Sequence, residues 1–253
     1  MTDYRISLWN YTHYVIQPAL EEAVAEIADA GFGVELWPGW HDVPDLFDPG
    51  VRDRVRMLLK GVRSSWHSGD VSDLEGHVRQ IDCAADVGSD VIVVHPGNML
   101  VSGDNPDYGF ARDVVAYARE RGVTLCLENG PLHVIEATHE HVDELKFCLD
   151  TGHTYQGREG FGMPAYLDVM KPRLAHLHVQ DTLLEGDHYT PGVGTIPRQD
   201  WEYLLQTLDD INFRGAWVLE IRPLRPLRIA EQTVAFFRSL TSGCGGQTGF
   251  RAI

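Results

Sequence analysis

Acidic and histidine side chains stand at the ends of several short apolar stretches in this sequence. Glu128 and Asp150 close the apolar runs at 125–127 and 147–149, while His178 and Glu220 close similar runs beginning at 174 and 216. A carboxylate at the end of a buried strand is costly unless a cation or a strong hydrogen-bond donor meets it. We therefore interpret these side chains as ligands of a cation rather than as members of structural ion pairs.

Three carboxylates and one imidazole form a hard, oxygen-rich donor set. Such a set suits Mn²⁺, Mg²⁺ or Co²⁺ and is also compatible with Zn²⁺. The sequence does not choose among these divalent metal ions. His176 shares a strand face with His178 because side chains alternate with a period of two. We expect His176, which lies deeper, to be a hydrogen-bonded core residue.

Four further histidines fall at strand ends or in the loops that follow them, namely His67, His95, His153 and His188. Taken singly, each is typical of a capping or packing residue. Gathered at one rim, they are able to bind a second metal ion or to hold substrate hydroxyl groups. Both interpretations stay open at this point.

Arginines follow Glu220 in the segment 222–228. Arg222 keeps the strand parity of Glu220, which makes it the best candidate for contact with a phosphate or carboxylate of a substrate. Alternatively, Arg222, Arg225 and Arg228 form a solvated basic edge that offsets an acidic surface.

The elements that must position these side chains alternate along the chain. Eight strand-like runs each precede a segment with helical apolar spacing, at about 30 residues per pair. This pattern predicts an α/β fold with a single (β/α)₈ TIM barrel over residues 1–241 and a flexible glycine-rich tail over 242–253. The first strand is expected over 4–9 and the fifth helix over 136–143. Because barrels of this class carry their chemistry at the C-terminal ends of the strands, the predicted ligands meet at one rim.

The composition narrows the range of partners. The 253 residues include 21 Lys and Arg against 37 Asp and Glu, for a formal net charge of −16, which disfavours nucleic acid as a partner. No apolar run reaches about 18 residues and no signal-peptide pattern is present, so we expect no membrane span and a cytoplasmic location. The four cysteines are expected to be reduced core residues. A homo-oligomer is left open.

The strand-end motifs resemble those of the xylose-isomerase-like TIM-barrel superfamily, which includes sugar phosphate isomerases and epimerases and the endonuclease IV-like barrels. The likeness runs from about residue 7 to residue 240. It is strongest in His95-Pro96-Gly97, Leu127-Glu128-Asn129, Leu149-Asp150-Thr151-Gly152-His153, His178-Val179-Gln180-Asp181, the segment HYTPGVG at 188–194, and Leu219-Glu220.

In the isomerase branch, the resemblance implies that Glu128, Asp150, His178 and Glu220 bind one divalent metal ion. It also implies that Glu128 and Glu220 move protons and that His153 contacts the substrate. Epimerases of this branch often have an arginine about six residues after the metal-binding histidine, where this chain has Leu184. This departure leaves the substrate undetermined.

In the endonuclease branch, the resemblance implies a three-zinc cluster held by His67, His95, Glu128, Asp150, His153, His178, His188 and Glu220. That branch has an aspartate two residues before the histidine at 188, where this chain has Gly186. The adjacent Asp187 is out of phase if the segment is extended, so the third zinc is expected to lack a ligand.

The leading hypothesis is a metal-dependent isomerase or epimerase that transfers a proton at a carbon next to a carbonyl of a small carbohydrate. Its alternatives are a zinc-dependent phosphoesterase of the endonuclease type, a metal-dependent dehydratase and a sugar-binding barrel without catalysis. Under the leading hypothesis, His67, His95, His153, His188 and Arg222 bind substrate. Three tryptophans near strand ends are candidates for an apolar wall against a sugar face: Trp9, Trp37 and Trp66.

Overall fold

The computed structural model describes residues 2–12, 19–38, 46–102, 105–156, 162–183, 186–222 and 227–243. Eight of its strands form one parallel sheet, and we number them β1–β8: Asp3–Ser7, Gly33–Leu36, Ser64–His67, Val91–Val94, Thr124–Glu128, Lys146–Asp150, Leu174–Val179 and Ala216–Leu219. The sheet closes on itself in the order β1-β8-β7-β6-β5-β4-β3-β2. The chain is therefore a single (β/α)₈ TIM barrel, as the alternation predicted.

Each strand is followed by a helix that packs outside the barrel. These helices are α1–α8: Leu20–Asp29, Pro49–Leu58, Leu74–Val87, Tyr108–Glu120, Leu132–His141, Gly162–Met170, Arg198–Asp210 and Arg228–Gly243. Asp48, Asp73 and Asp107 accept a hydrogen bond from a first-turn backbone N–H and so begin α2, α3 and α4. Gly88 ends α3 in the left-handed region, at a φ of 85°.

Two of the predicted boundaries are wrong. Strand β1 stops at Ser7, and the next residues form a short helix, Leu8–Thr12, so Trp9 is helical. Helix α5 begins at Leu132 rather than at residue 136. Pro131 precedes its first turn, where a missing N–H costs nothing, and Leu132 and Ile135 on that turn are buried against the core.

Apolar side chains fill two separate regions. The larger one lies between the outer face of the strands and the helices. The smaller one lies on the inner face and consists of Val91, Val93, Cys126 and Cys148, with Ala175 packed against it. Buried polar side chains occupy much of the remaining inner face, including Arg5, Glu35, Ser65 and His176. The barrel interior is thus unusually rich in charge.

An ion-pair network lies at the N-terminal end of the barrel. The guanidinium of Arg5, on β1, donates to Asp90 at 2.6 and 2.7 Å and to Asp3 at 2.8 Å. Arg63 also reaches Asp3, at 3.2 Å. The arginines and aspartates alternate, so each charged group in this network faces one of opposite sign.

Cys83, Cys126 and Cys148 are buried free thiols, as expected, while Cys244 lies outside the described residues. The predicted tail at 242–253 lies almost wholly beyond the described chain, which ends with α8 at Gly243. Among the helices that the structure describes, none has both the length and the apolar character needed to cross a membrane.

Candidate active site

The four predicted ligands gather at the C-terminal mouth of the barrel. Glu128 and Asp150 end β5 and β6, His178 is the last residue but one of β7, and Glu220 directly follows β8. None has more than 4% of its surface exposed. His178 Nδ1 lies 3.3 Å from Glu128 Oε2 and 3.7 Å from Glu220 Oε1. Asp150 and Glu128 offer oxygens that lie within 4.8 Å of each other.

Glu128 stands within a ring of histidines. Its Oε2 lies 3.3 Å from both His67 Nε2 and His95 Nε2, and its Oε1 lies 2.8 Å from His153 Nδ1. Burial raises the pKa of Glu128, but the charges of His95 and His178 outweigh this effect and hold the pKa well below its usual value. Glu128 is therefore ionised at neutral pH.

Glu220 behaves in the opposite way. Burial raises its pKa to about 8; the charge of His178 lowers the pKa, and the charges of Asp150 and Glu128 raise it. Its Oε1 atom has no hydrogen-bond partner among the described residues. A buried carboxylate oxygen without a donor is unfavourable, and a nearby cation removes that penalty and lowers the pKa.

Asp150 is held by residues to which the sequence analysis assigned no role. Gln180 Nε2 donates to Asp150 Oδ2 at 2.7 Å, and the backbone N–H of Asp150 donates to Asn129 Oδ1 at 2.5 Å. A Cβ atom on Gly152 would meet the Gln180 side chain at 2.7 Å, so only glycine lets Gln180 approach. The motif around Asp150 therefore fixes the orientation of its carboxylate, and the signal for this was the polar Asn129 and Gln180 beside the strand ends.

The ring nitrogens of two histidines are oriented by backbone carbonyls. His67 Nδ1 lies 3.0 Å from Ser68 O, and His188 Nδ1 lies 2.7 Å from Glu220 O. Each carbonyl favours a proton on Nδ1, but His67 Nε2 also faces an acceptor, Glu128 Oε2, at 3.3 Å, and His188 Nδ1 also faces the amide nitrogen of Asn10 at 3.1 Å. Burial lowers the pKa of His67, and burial together with the charge of Arg222 lowers the pKa of His188 to about 4. Both imidazoles are thus neutral at neutral pH.

The expected misplacement of Asp187 is wrong. Its Oδ2 lies 3.6 Å from His188 Nε2 and 4.0 Å from His153 Nε2. Period-two alternation would have sent the side chains of 187 and 188 to opposite faces. His188 instead has a φ of 62°, which breaks the extended geometry and brings both neighbouring side chains to the rim. Asp187 nevertheless belongs to none of the candidate metal-ligand groups found among the described residues.

An aromatic wall flanks the mouth. Trp37 stacks on His67 at 3.7 Å between ring centroids, and Trp9 stacks on Trp37 at 5.7 Å. The guanidinium carbon of Arg222 lies 3.8 Å from the ring centre of Trp9. Trp66 does not belong to this wall, because it is wholly buried and donates to Gln80 Oε1 at 3.2 Å.

Two residues weighed in the sequence analysis lie outside the described residues, namely Arg225 and Leu184. The basic edge that would include Arg225 therefore stays a prediction. The same holds for the consequence of having Leu184 where epimerases often have an arginine.

Glu35 is the acidic residue that sequence reasoning missed. It lies inside β2 and contacts both His176 and His178 with no exposed surface. Its sequence signal matched that of Glu128, an acid within an apolar strand. It was passed over because Leu36 and Trp37 follow it, so it does not end its strand. His176 is hydrogen-bonded within the core, as expected.

Groups of three side chains at the mouth are spaced closely enough for a divalent metal ion, although no such group among the described residues contains all four predicted ligands. Two ligand atoms on opposite sides of a metal at about 2.2 Å are about 4.4 Å apart. Four overlapping groups keep one ligand atom from each member within 4.8 Å: Glu128 with Asp150 and His153, His67 with His178 and Glu220, His67 with His95 and Glu128, and Glu35 with His176 and His178. Glu220, whose Oε1 has no hydrogen-bond partner among the described residues, is a member of the second group.

Comparison with known proteins agrees with this architecture. Residues 67–240 match the family model for the xylose isomerase-like TIM barrel. A D-tagatose 3-epimerase-like protein superposes with a TM-score of 0.74 at 17% identity, over 95% of this chain and 97% of that one. A Thermus thermophilus protein studied after soaking with ZnCl₂ gives 0.71 at 23% identity, over 98% and 99%.

A 3-keto-D-glucoside 4-epimerase from E. coli superposes with a TM-score of 0.68 at 19% identity, over 94% of this chain and 100% of that one. The comparison with curated protein sequences gives no significant match. At these identities the structural likeness shows the fold.

Proposed function

Since the chain belongs to the xylose isomerase-like TIM barrel family, we propose that it is a divalent-metal-dependent isomerase or epimerase of a sugar or sugar phosphate. The sugar epimerases among its structural neighbours support an enzyme of this kind. The reaction proposed is proton transfer at a carbon next to a carbonyl.

One observation carries the proposal. Glu128 and Glu220 come from strands separated by two others in the barrel, yet both carboxylates converge on His178 Nδ1 at the mouth. A structural role does not need two buried acids of like charge at such a point, because like charges are mutually destabilising. A pair that handles protons does need them.

The residues that would hold the metal ion are Glu128, Asp150, His178 and Glu220. When bound, a divalent cation supplies Lewis-acid polarisation of carbonyl and hydroxyl oxygens of the substrate. Asp150 is kept in place by Gln180 and by its own backbone contact with Asn129, so its carboxylate has a fixed direction. We place Mn²⁺, Mg²⁺ or Co²⁺ first on the hardness of this set, with Zn²⁺ also compatible.

Glu128 and Glu220 are the proposed acid–base pair. One carboxylate removes the proton from the substrate carbon and the other, as the carboxylic acid, returns a proton. Return to the opposite face inverts the carbon and gives an epimer, whereas return on the same face to the neighbouring carbon gives aldose–ketose isomerisation. Expulsion of a β-hydroxyl group from the same intermediate gives a dehydratase, which the mass of the product distinguishes.

The rim supports a carbohydrate as substrate. Trp9 and Trp37 offer flat apolar surface, while His153 and His188 offer ring nitrogens to hydroxyl groups. His67 and His95 adjoin the same mouth through Glu128. Arg222 is the proposed contact with an anionic group of the substrate.

The test is solvent deuterium uptake by a panel of ketohexoses and ketohexose phosphates in D₂O. The purified protein with Mn²⁺ is expected to incorporate deuterium at the carbon beside the carbonyl of at least one member, and chelator-treated protein is expected to incorporate none. An absence of exchange across the panel contradicts the proposal.

A second candidate is a zinc-dependent phosphoesterase of the endonuclease IV type. It is favoured by a second group of metal-competent side chains: His67 Nε2 and His95 Nε2 each lie 3.3 Å from Glu128 Oε2, and the three residues are close enough to share a cation. The position of Asp187 beside His153 and His188 adds further metal-competent groups. The net charge of −16 opposes a nucleic-acid substrate.

Metal counting separates the two candidates. Elemental analysis of purified protein is expected to give about one divalent ion per chain for the isomerase. A content of two or three zinc ions, with hydrolysis of a phosphodiester, supports the phosphoesterase.

A further inference from the structure

A second polar cluster lies directly beneath the proposed metal site, inside the barrel. At its centre is Glu35, which β2 directs inward and which has no exposed surface. Glu35 Oε2 accepts a hydrogen bond from Ser65 Oγ at 2.9 Å and lies 3.0 Å from His176 Nε2. Glu35 Oε1 lies 3.1 Å from His178 Nε2. Ser65 and His176 are likewise fully buried.

These contacts favour a hydrogen-bonded anion over an additional metal site. Glu35, His176 and His178 are close enough to share a cation. However, the hydroxyl of Ser65 already donates to the carboxylate, and each ring directs an Nε2 atom at one of its oxygens. Neither Glu35 Oε1 nor His178 Nε2 has another hydrogen-bond partner among the described residues, so their 3.1 Å contact is the pairing open to both atoms. The groups around the carboxylate are therefore one hydroxyl donor and two ring nitrogens.

The contacts of His178 differ at its two ring nitrogens. Nε2 faces Glu35, whereas Nδ1 faces Glu128 at 3.3 Å and Glu220 at 3.7 Å. An imidazole that donates Nε2–H to a carboxylate keeps its lone pair on Nδ1, and this arrangement also fixes the plane of the ring. When His178 is neutral, as a metal-binding histidine must be, that lone pair points to the mouth of the barrel.

We propose that Glu35 is a positioning residue: it holds the proton of His178 on Nε2 and thereby presents Nδ1 as a metal ligand. This inference rests on the proposed function, which assigns His178 to the metal. Glu35 touches neither the mouth nor a substrate, so its effect on the site passes through His178. This role also accounts for the buried carboxylate itself, because an apolar side chain at this position would cost less free energy to bury.

The principal test compares Mn²⁺ binding to metal-free wild type and to Glu35→Gln by isothermal titration calorimetry. A glutamine has one acceptor oxygen and one NH₂ group, so it accepts from one ring and directs its NH₂ group at the other. We expect the affinity for Mn²⁺ to fall about 10–100-fold, the range found for loss of such partners of metal-binding histidines. Circular dichroism before titration checks that the variant is folded.

The matched control is Ser65→Ala. It removes one donor to Glu35 but leaves the carboxylate and its contact with His178 in place. We expect its Mn²⁺ affinity to stay within about threefold of wild type. An equal loss in both variants would show that general disturbance of the interior, not the pairing with His178, weakens the site.

A second measurement does not depend on metal binding or on the folding of a variant. In ¹⁵N-histidine-labelled wild type, NMR is expected to show a proton on Nε2 of His178, protected from exchange and shifted downfield by its carboxylate partner. His178 with its only proton on Nδ1 overturns the inference. So does a folded Glu35→Gln protein that binds Mn²⁺ within about twofold of wild type. Failure of wild type to bind any divalent metal overturns instead the proposed function, on which the ligand role of His178 depends.

Discussion

The two ends of the barrel both carry buried charge, but they balance it differently. At the N-terminal end, Arg5 lies between Asp3 and Asp90 at hydrogen-bonding distance, so opposite charges alternate. At the C-terminal mouth, Glu128 and Glu220 converge on His178. The first cluster is complete within the protein. In the second, the carboxyl groups face imidazoles rather than arginines, and Glu220 Oε1 has no hydrogen-bond partner among the described residues, a gap that the proposed metal ion would fill.

The pKa values of single carboxyl groups show the same contrast. Partial burial raises the pKa of Asp3, but Arg5 and Arg63 outweigh this effect and lower it below 3.8. Burial raises the pKa of Glu220 to about 8, with Asp150 and Glu128 adding to the rise. An acid with arginine partners stabilises the fold, whereas a buried acid among other acids costs stability when it is ionised, and its raised pKa is the kind that suits the proposed proton transfer.

The largest expected effect comes from Glu220→Gln at the mouth. Because the variant loses one of the two proton-transferring groups, kcat should fall about 10²–10⁴-fold in the deuterium-exchange assay. The melting temperature should stay the same at pH 7, where a carboxyl group with a pKa of about 8 is mostly neutral, and should rise above pH 8, where the amide relieves repulsion by Asp150 and Glu128. The control is Glu144→Gln, which changes a surface glutamate paired with Arg119 and should leave both quantities unchanged. A kcat near that of wild type would remove Glu220 from the mechanism.

Arg5→Met tests the opposite end. The change leaves Asp3 and Asp90 without their shared partner, and we expect the free energy of unfolding to drop by about 2–4 kcal/mol, less than for a fully buried pair because Asp90 is 55% exposed. Urea denaturation measures this, and kcat of the folded variant should match wild type. Arg63→Met is the matched control: Arg63 contacts the same Asp3 but is 70% exposed, so it should cost less than about 1 kcal/mol. Equal losses would contradict the distinction.

Asp3→Asn tests the same network through the pH dependence of the free energy of unfolding. At pH 7 we expect a loss of about 1.5–3 kcal/mol, the usual contribution of hydrogen bonds to charged groups. Because the pKa of Asp3 is lower in the folded than in the unfolded state, its stabilisation is complete above the unfolded pKa and disappears as the pH falls through the folded one. The difference between wild type and variant should therefore be constant above about pH 5 and shrink below about pH 4. A gap that persists at about pH 2 would assign the effect to packing.

The smallest expected effect concerns Arg222, at the edge of the mouth. Arg222→Ala should raise KM for a phosphorylated or carboxylated substrate about tenfold, the loss of one charge-assisted hydrogen bond, and leave KM for a neutral ketose within about twofold. Steady-state kinetics with a sugar and its phosphate ester give both KM values for wild type and variant. An unchanged KM for both would remove Arg222 from contact with the substrate.

Several acidic residues at the mouth of the barrel could be predicted from the local sequence pattern. Glu128, Asp150 and Glu220 were recognised because an acid that ends an apolar run is a local signal, and parallel strands deliver their ends to one rim. Asp187 was misjudged because the argument assumed extended chain, and the positive φ of His188 is not encoded by a residue type that favours it. The start of α5 was misplaced because the burial of Leu132 decides it.

The sequence by itself determined the repeating strand–helix units, the fold class and the chemical character of the mouth, since each follows from residues close together in the chain. Only the tertiary structure decided which side chains meet inside the barrel. Glu35 and His178 lie on strands far apart in sequence, and their contact depends on closure of the sheet and on the register of every strand between them. No local pattern carries that information, because register and closure result from packing of the whole barrel.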